Sequence, residues 1–201
     1  MKNLIISATL FCLFATYVWG QQDSTVNSAR NEQLTKHCKL HQAFEIESLV
    51  PMFFTGGYHA GVGYRIEKVR LRFSIINGGS YNAEPAGLKN SSSDFKRYYK
   101  TSPGVFLGYN VWNDLEVYTY LELHTFSIEE KKSGEKQDLK STDFGGGVSY
   151  QYFIGDRFYI QPGAHLYLRK EKELTFGSTI YRIPTTDVSL VLRLGIRLWN
   201  N

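Results

Sequence analysis

The chain has 201 residues and carries 23 Lys and Arg against 19 Asp and Glu, a formal net charge of +4. That length suits one domain with at most a tail. The mild basic excess is scattered among acids and forms no stripe, which excludes a nucleic-acid footprint.

Residues 1–20 read as an export signal: Lys2 gives the positive start, Leu4 to Val18 the apolar core, and Val18 and Gly20 flank Trp19 before the polar Gln21-Gln22-Asp23. The apolar run falls short of the ~20 residues that a spanning helix needs. Phe11 precedes Cys12, so Cys12 is not a lipid-attachment cysteine. Loss of the signal removes Lys2 and leaves a net charge of +3 and a single cysteine, Cys38, so no disulfide framework forms within one mature chain. Residues 21–42 are a polar leader without sustained period.

In the barrel domain, residues 43–201, the chain alternates from Ala43 to Trp199 between aromatic or β-branched residues and polar residues or glycine, the period-two signature of strands with two different faces. Strands are predicted near 43–50, 57–66, 69–80, 103–112, 115–126, 142–154, 157–169 and 184–199. Tight connections at Glu67-Lys68, Asn113-Asp114 and Gly155-Asp156 alternate with longer ones at Pro51 to Gly56, Ser80 to Ser102, Ser127 to Ser141 and Lys170 to Ile183. Asn113 and Gly155 tolerate the left-handed backbone of hairpin turns; Glu67-Lys68 makes a poorer one. An even number of strands with short turns on one side and long loops on the other predicts an all-β, closed, antiparallel, up-and-down transmembrane barrel of about eight strands.

Face polarity separates a membrane barrel from a soluble one. The non-lipid set holds Gly61, Gly63, Gly108, Gly145, Gly147, Gly163 and Gly195, which a solvent face would not favour but a narrow interior needs. It also holds Glu45, Glu47, Arg65, Arg70, Arg72, Glu116, Arg193 and Arg197, and strand direction brings all eight near the short-turn end. Mixed charge at one height predicts a structural ion-pair network plugging the inner half of the lumen. Tyr64, Tyr109, Tyr152 and Phe158 near the short turns, and Tyr58 and Phe144 near the loops, fit two aromatic bands at lipid headgroup level. Pro162 lies inside the seventh strand and calls for a bulge at Pro162-Gly163.

Signal, leader, alternating strands and the ending Leu194-Gly195-Ile196-Arg197-Leu198-Trp199 resemble the small outer-membrane β-barrel proteins abundant in Bacteroidota. The resemblance implies location in the outer membrane of a Gram-negative cell, with lipid and lipopolysaccharide as surroundings. It also implies delivery by the barrel-assembly machinery, although Trp199 is displaced from the end by Asn200-Asn201. It implies no cofactor and little about activity.

Some eight-strand outer-membrane barrels are lipid A deacylases or acyltransferases that use Ser and His at the outer rim. The nearest candidate here is His124 with Ser127, three positions apart and therefore on opposite faces of a strand, where a serine nucleophile lacks its base. His37, Cys38 and His41 are metal-ligand types without a fourth partner and read as linker; His59 and His165 point into the lumen and read as structural. The candidate contact surface is the second long loop, where Lys89, Lys96, Arg97 and Lys100 stand with Tyr98 and Tyr99, beside Tyr81 and Phe95, a set suited to engaging lipid phosphates or an anionic partner. The expected function is a structural, adhesive or narrow-transport role through the loops; the alternatives are a lipid-modifying enzyme and a soluble periplasmic ligand-binding barrel.

Overall fold

A computed structural model describes residues 41–81 and 94–200; for Tyr81 and Asn200 only the backbone is described. The signal, nearly all of the leader, His37, Cys38 and Lys89 lie outside the described residues. The elements are β1 (Gln42–Leu49), α1 (Val50–Phe54), β2 (Gly57–Ile66), β3 (Val69–Tyr81), β4 (Phe95–Trp112), β5 (Leu115–Glu130), β6 (Lys136–Tyr150), β7 (Tyr152–Ile154), β8 (Phe158–Arg169), β9 (Glu173–Phe176), β10 (Thr179–Arg182) and β11 (Thr186–Asn200). Among the described residues no helix is long and apolar enough to cross a membrane.

Eight strands, β1 to β6 with β8 and β11, pair antiparallel with their sequence neighbours, and β11 returns to β1 to close a barrel. Closure leaves the wall no edge through most of its height. The short turns have the backbone their residues allow: Asn113 sits at φ 46° and Gly155 at φ 71°. Glu67, a poor turn residue, is also held in the left-handed region at φ 50°, with its N–H donating to the His41 carbonyl at 2.9 Å.

The period-two pattern sorts side chains as an inverted barrel. Leu71, Phe73, Leu107, Val117, Leu121, Leu123, Leu192 and Leu194 are exposed outside, while Arg70, Arg72, Glu116, Arg193 and Arg197 are buried inside. Tyr58, Tyr64, Tyr109, Phe144, Tyr152 and Phe158 are all exposed on the outer face, joined by Trp112 and Trp199.

Three expectations need correction. The strands run further than the alternation suggested: β4 begins at Phe95, β5 extends to Glu130 and β6 starts at Lys136, and a separate hairpin, β9–β10, occupies the last connection. Lys96, Arg97, Tyr98, Tyr99 and Lys100 are therefore strand residues. Their side chains divide between two faces, with Arg97 buried against the Phe126 ring at 4.9 Å and Lys100 exposed. The physical reason is that Lys, Arg and Tyr are all long and amphipathic, so alternation among them shows no polarity contrast. Finally, Pro162 produces no bulge. Pairing with β6 and β7 keeps one register from Ser149 opposite Gly163 to Tyr152 opposite Ile160, and the ladder breaks at Gln151 instead. A proline has no N–H to give a ladder, and here a missing rung accommodates it.

Candidate functional site

The barrel interior and its rim are built in layers. Nearest the short turns, Arg197 grips Glu45 through Nε at 3.0 Å and Nη2 at 2.7 Å. Arg65 sits 3.9 Å from the same carboxylate and donates to Gln151 Oε1 at 2.5 Å. One step deeper, Arg70 reaches Glu45 at 2.7 Å, Glu47 at 2.9 Å and Glu116 at 3.4 Å. Arg72 bridges Glu47 at 3.2 Å and Glu116 at 2.8 Å, and Arg193 lies 3.3 Å from Glu47. The structure thus brings together all eight residues of the sequence-predicted network, each at most 4 % exposed.

Five arginines meet three carboxylates there, and the surplus is handled by neutral groups. Gln161 Oε1 accepts from Arg70 at 3.1 Å and the Tyr159 hydroxyl accepts from it at 2.8 Å. Arg72 lies over the Tyr118 ring at 4.8 Å, and Arg197 over Phe153 at 4.4 Å. Cation–π contacts gain strength when desolvated, up to about 2 kcal/mol each. Glycines make room for these large groups. A Cβ on Gly108 would stand 2.7 Å from the Glu116 carboxyl carbon, and one on Gly147 would stand 2.4 Å from the Tyr118 ring.

Above this network lies an aromatic septum. Phe106 stacks on Tyr120 at 5.4 Å, and His165 sits 5.1 Å from Tyr118, 5.2 Å from Tyr120 and 5.5 Å from Tyr167. His165 Nε2 faces Arg193 Nη2 at 2.7 Å, and His59 Nδ1 accepts the Leu49 N–H at 3.2 Å, so these two lumen histidines have partners.

A second polar layer follows, which sequence reasoning missed. Glu122, Asp143 and Arg169 are cross-strand neighbours on β5, β6 and β8. Arg169 Nε is 3.0 Å from Asp143, while His124 Nε2 is 3.3 Å from Glu122 and 3.6 Å from Asp143. Counting outward from Gly155-Asp156 as a two-residue turn sets Asp143 opposite Leu168; the turn has three residues, with Ile154 opposite Phe158, and the extra one brings Asp143 opposite Arg169. His124 points into this layer and Ser127 onto the opposite face of β5, which continues as strand past both, so the two do not form a catalytic pair. Among the described residues no group of three or more His, Cys, Asp or Glu forms a metal site.

The mouth is closed by an apolar cap. Phe176 and Tyr181 of the β9–β10 hairpin and the nearby Ile183 pack with Phe95, Phe126, Ile128 and Leu139 on the inner faces of β4, β5 and β6. Polarity therefore reverses along a single strand. On the outer face of β5, Val117, Leu121 and Leu123 give way to Ser127 and Glu129, while the inner face runs Glu116, Tyr118, Tyr120, Glu122 and His124 and then Phe126 and Ile128, with Glu130 at its end. The lower part is built for apolar surroundings and the upper part for water.

No family model matches the chain, and no curated protein matches it. Among solved structures it is similar to the N-terminal β-barrel domain of Pseudomonas aeruginosa OprF, at 14 % identity and a TM-score of 0.41 over 79 % of this chain and 98 % of that one. It is also similar to Neisserial surface protein A, NspA, at 14 % identity and a TM-score of 0.39 over 78 % of this chain and 92 % of that one.

Proposed function

We propose that this chain is an integral outer-membrane β-barrel, exported by its N-terminal signal, whose role is structural or adhesive and is exercised by the part that projects beyond the lipid. One observation carries the reading: the outer surface is a belt of Leu, Val, Phe and Tyr, while the charges are locked in the interior. In water that arrangement would expose a large apolar surface and bury ions at a cost of several kcal/mol each; in hydrocarbon it is the required one. Membership among the small Bacteroidota barrels belongs to the same proposal and is supported by the sequence pattern alone.

Ionic network, aromatic septum and apolar cap occupy successive heights of the lumen, which favours a structural or adhesive role over narrow transport. Membrane fractionation followed by electrophoresis of boiled and unboiled samples tests the reading. A heat-modifiable band in the outer-membrane fraction is expected, together with background conductance in planar bilayers. A soluble protein whose mobility does not change on boiling would overturn it.

A further inference from the structure

The upper outer face of the β4–β6 wall is basic. Lys96 and Tyr98 of β4 lie opposite Glu129 and Ser127 of β5, which lie opposite Lys136 and Asp138 of β6; Lys140 lies opposite Thr125. Lys96 and Lys136 both lean over the Tyr98 ring, at 4.9 and 5.6 Å. Lys100 pairs with Asp138 at 2.6 Å and Lys136 with Glu129 at 3.3 Å. Four ammonium groups against two carboxylates leave a surplus of two positive charges on one face of three neighbouring strands. Immediately below, on the same outer face, stand Leu123 and Phe144, 51 % and 53 % exposed. The patch therefore sits where the apolar belt ends. Across the barrel, Leu49 to Tyr58 contains no charged residue and presents Phe53 and Phe54 outward, 61 % and 86 % exposed.

We propose that this face binds the phosphate groups of an anionic outer-leaflet lipid through Lys96, Lys100, Lys136 and Lys140, with Tyr98 as the platform between them. The proposal rests on the outer-membrane reading above. A phosphorylated lipid fits better than a soluble anion because its acyl chains continue down the Leu123–Phe144 surface while its phosphates meet the lysines. Basic residues near a membrane surface favour anionic lipid. The sequence had grouped Lys96 and Lys100 with their chain neighbours; pairing regroups them with Lys136 and Lys140 from the next hairpin.

The test uses the full barrel folded in a neutral detergent without divalent cations, in wild-type form and as the K96Q/K100Q/K136Q/K140Q variant. Each is titrated with diphosphorylated lipid A, with the same lipid stripped of phosphate, and with inorganic pyrophosphate, and the unfolding midpoint is read from the heat-modifiable band. The wild type should be stabilised by the diphosphorylated lipid alone, and the variant should bind it at least about tenfold more weakly. The four positions face solvent, so the variant should keep its own heat-modifiable band, and Lys→Arg at all four should restore binding. Equal stabilisation of wild type and variant, or equal stabilisation by the stripped lipid or by pyrophosphate, overturns the proposal. Failure of the membrane reading has a separate signature, the absence of a heat-modifiable band in wild type.

Discussion

Gly195 and Tyr159 lie face to face across β11 and β8, and the ring occupies the space that any side chain at position 195 would take: a Cβ there would stand 2.1 Å from the ring carbon bearing the hydroxyl. Lying flat, the ring delivers its hydroxyl to Arg70 at 2.8 Å and Glu47 at 3.3 Å. A backbone without a side chain on β11 is thus what lets the ionic network close. Gly195→Ala should force the ring off the sheet and destabilise the barrel by about 1–3 kcal/mol, the usual range for overpacking, read as a lower urea midpoint of the heat-modifiable band. Wild-type stability in that variant would mean the interior is looser than the structure shows.

Removing one carboxylate from the network tests how far its cations depend on each other. Glu47 is contacted by Arg70, Arg72 and Arg193, so Glu47→Gln leaves three buried guanidiniums short of a counter-charge. Breaking a buried pair in this way costs about 3–5 kcal/mol. Asp138→Asn, which breaks the half-exposed pair with Lys100, should cost no more than about 1 kcal/mol. Urea titration of both variants checks the contrast, and equal losses would show that the network is wet.

The lower ionic network was legible because strand direction alone shows which end of the barrel a residue occupies, and all eight of its residues lie toward the short-turn end. The upper polar layer was not, because Glu122, Asp143 and Arg169 come from three strands and meet only once pairing is counted far from any turn. The upper reach of β4 was hidden for a different reason. Above the belt the inner face turns apolar and the outer face polar, so a rule that identifies strands by outward grease fails at the point where Leu123 gives way to Ser127. The patch lysines stayed dispersed in the sequence because a sheet surface is assembled across strands.

The first hairpin holds a removable strain. Glu67 sits at φ 50°, a conformation that costs an ordinary L-residue about 1 kcal/mol and that asparagine visits readily. Glu67→Asn keeps the backbone N–H that donates to His41 and should raise stability by about 1 kcal/mol. Thermal unfolding in detergent reads the gain, and a loss would show that the Glu67 side chain holds a contact worth more than the strain.

Asp114, in the turn between β4 and β5, gives stability a pH dependence. Burial pushes its carboxyl up from 3.8 to about 6, with Arg65 and Arg197 opposing. The folded pKa lies above the unfolded one, so folding favours the protonated acid. The stabilisation is complete below pH 3.8, falls as pH rises, and is gone above about 6. Asp114→Asn keeps a neutral group at every pH. Relative to that variant, the wild-type unfolding midpoint should decline between pH 4 and 6.5 and then level, and parallel profiles would show that the turn is solvated.

The boundary of the apolar belt can be located on one strand. Leu121 stands in the middle of the outer face of β5, and Ser127 stands on the same face six residues further on, past the point where polarity reverses. An arginine at bilayer mid-depth on the lipid face of a barrel costs about 2–4 kcal/mol, falling toward zero at the interface. Leu121→Arg should therefore lower stability in lipid by that amount, while Ser127→Arg should change it by less than about 0.5 kcal/mol, as surface substitutions do. A soluble barrel would meet water at both positions and tolerate both, so equal, small effects in lipid vesicles would remove hydrocarbon from around β5. A loss at Leu121 alone sets the edge of the hydrocarbon between Leu121 and Ser127, beneath the lysines of the β4–β6 wall.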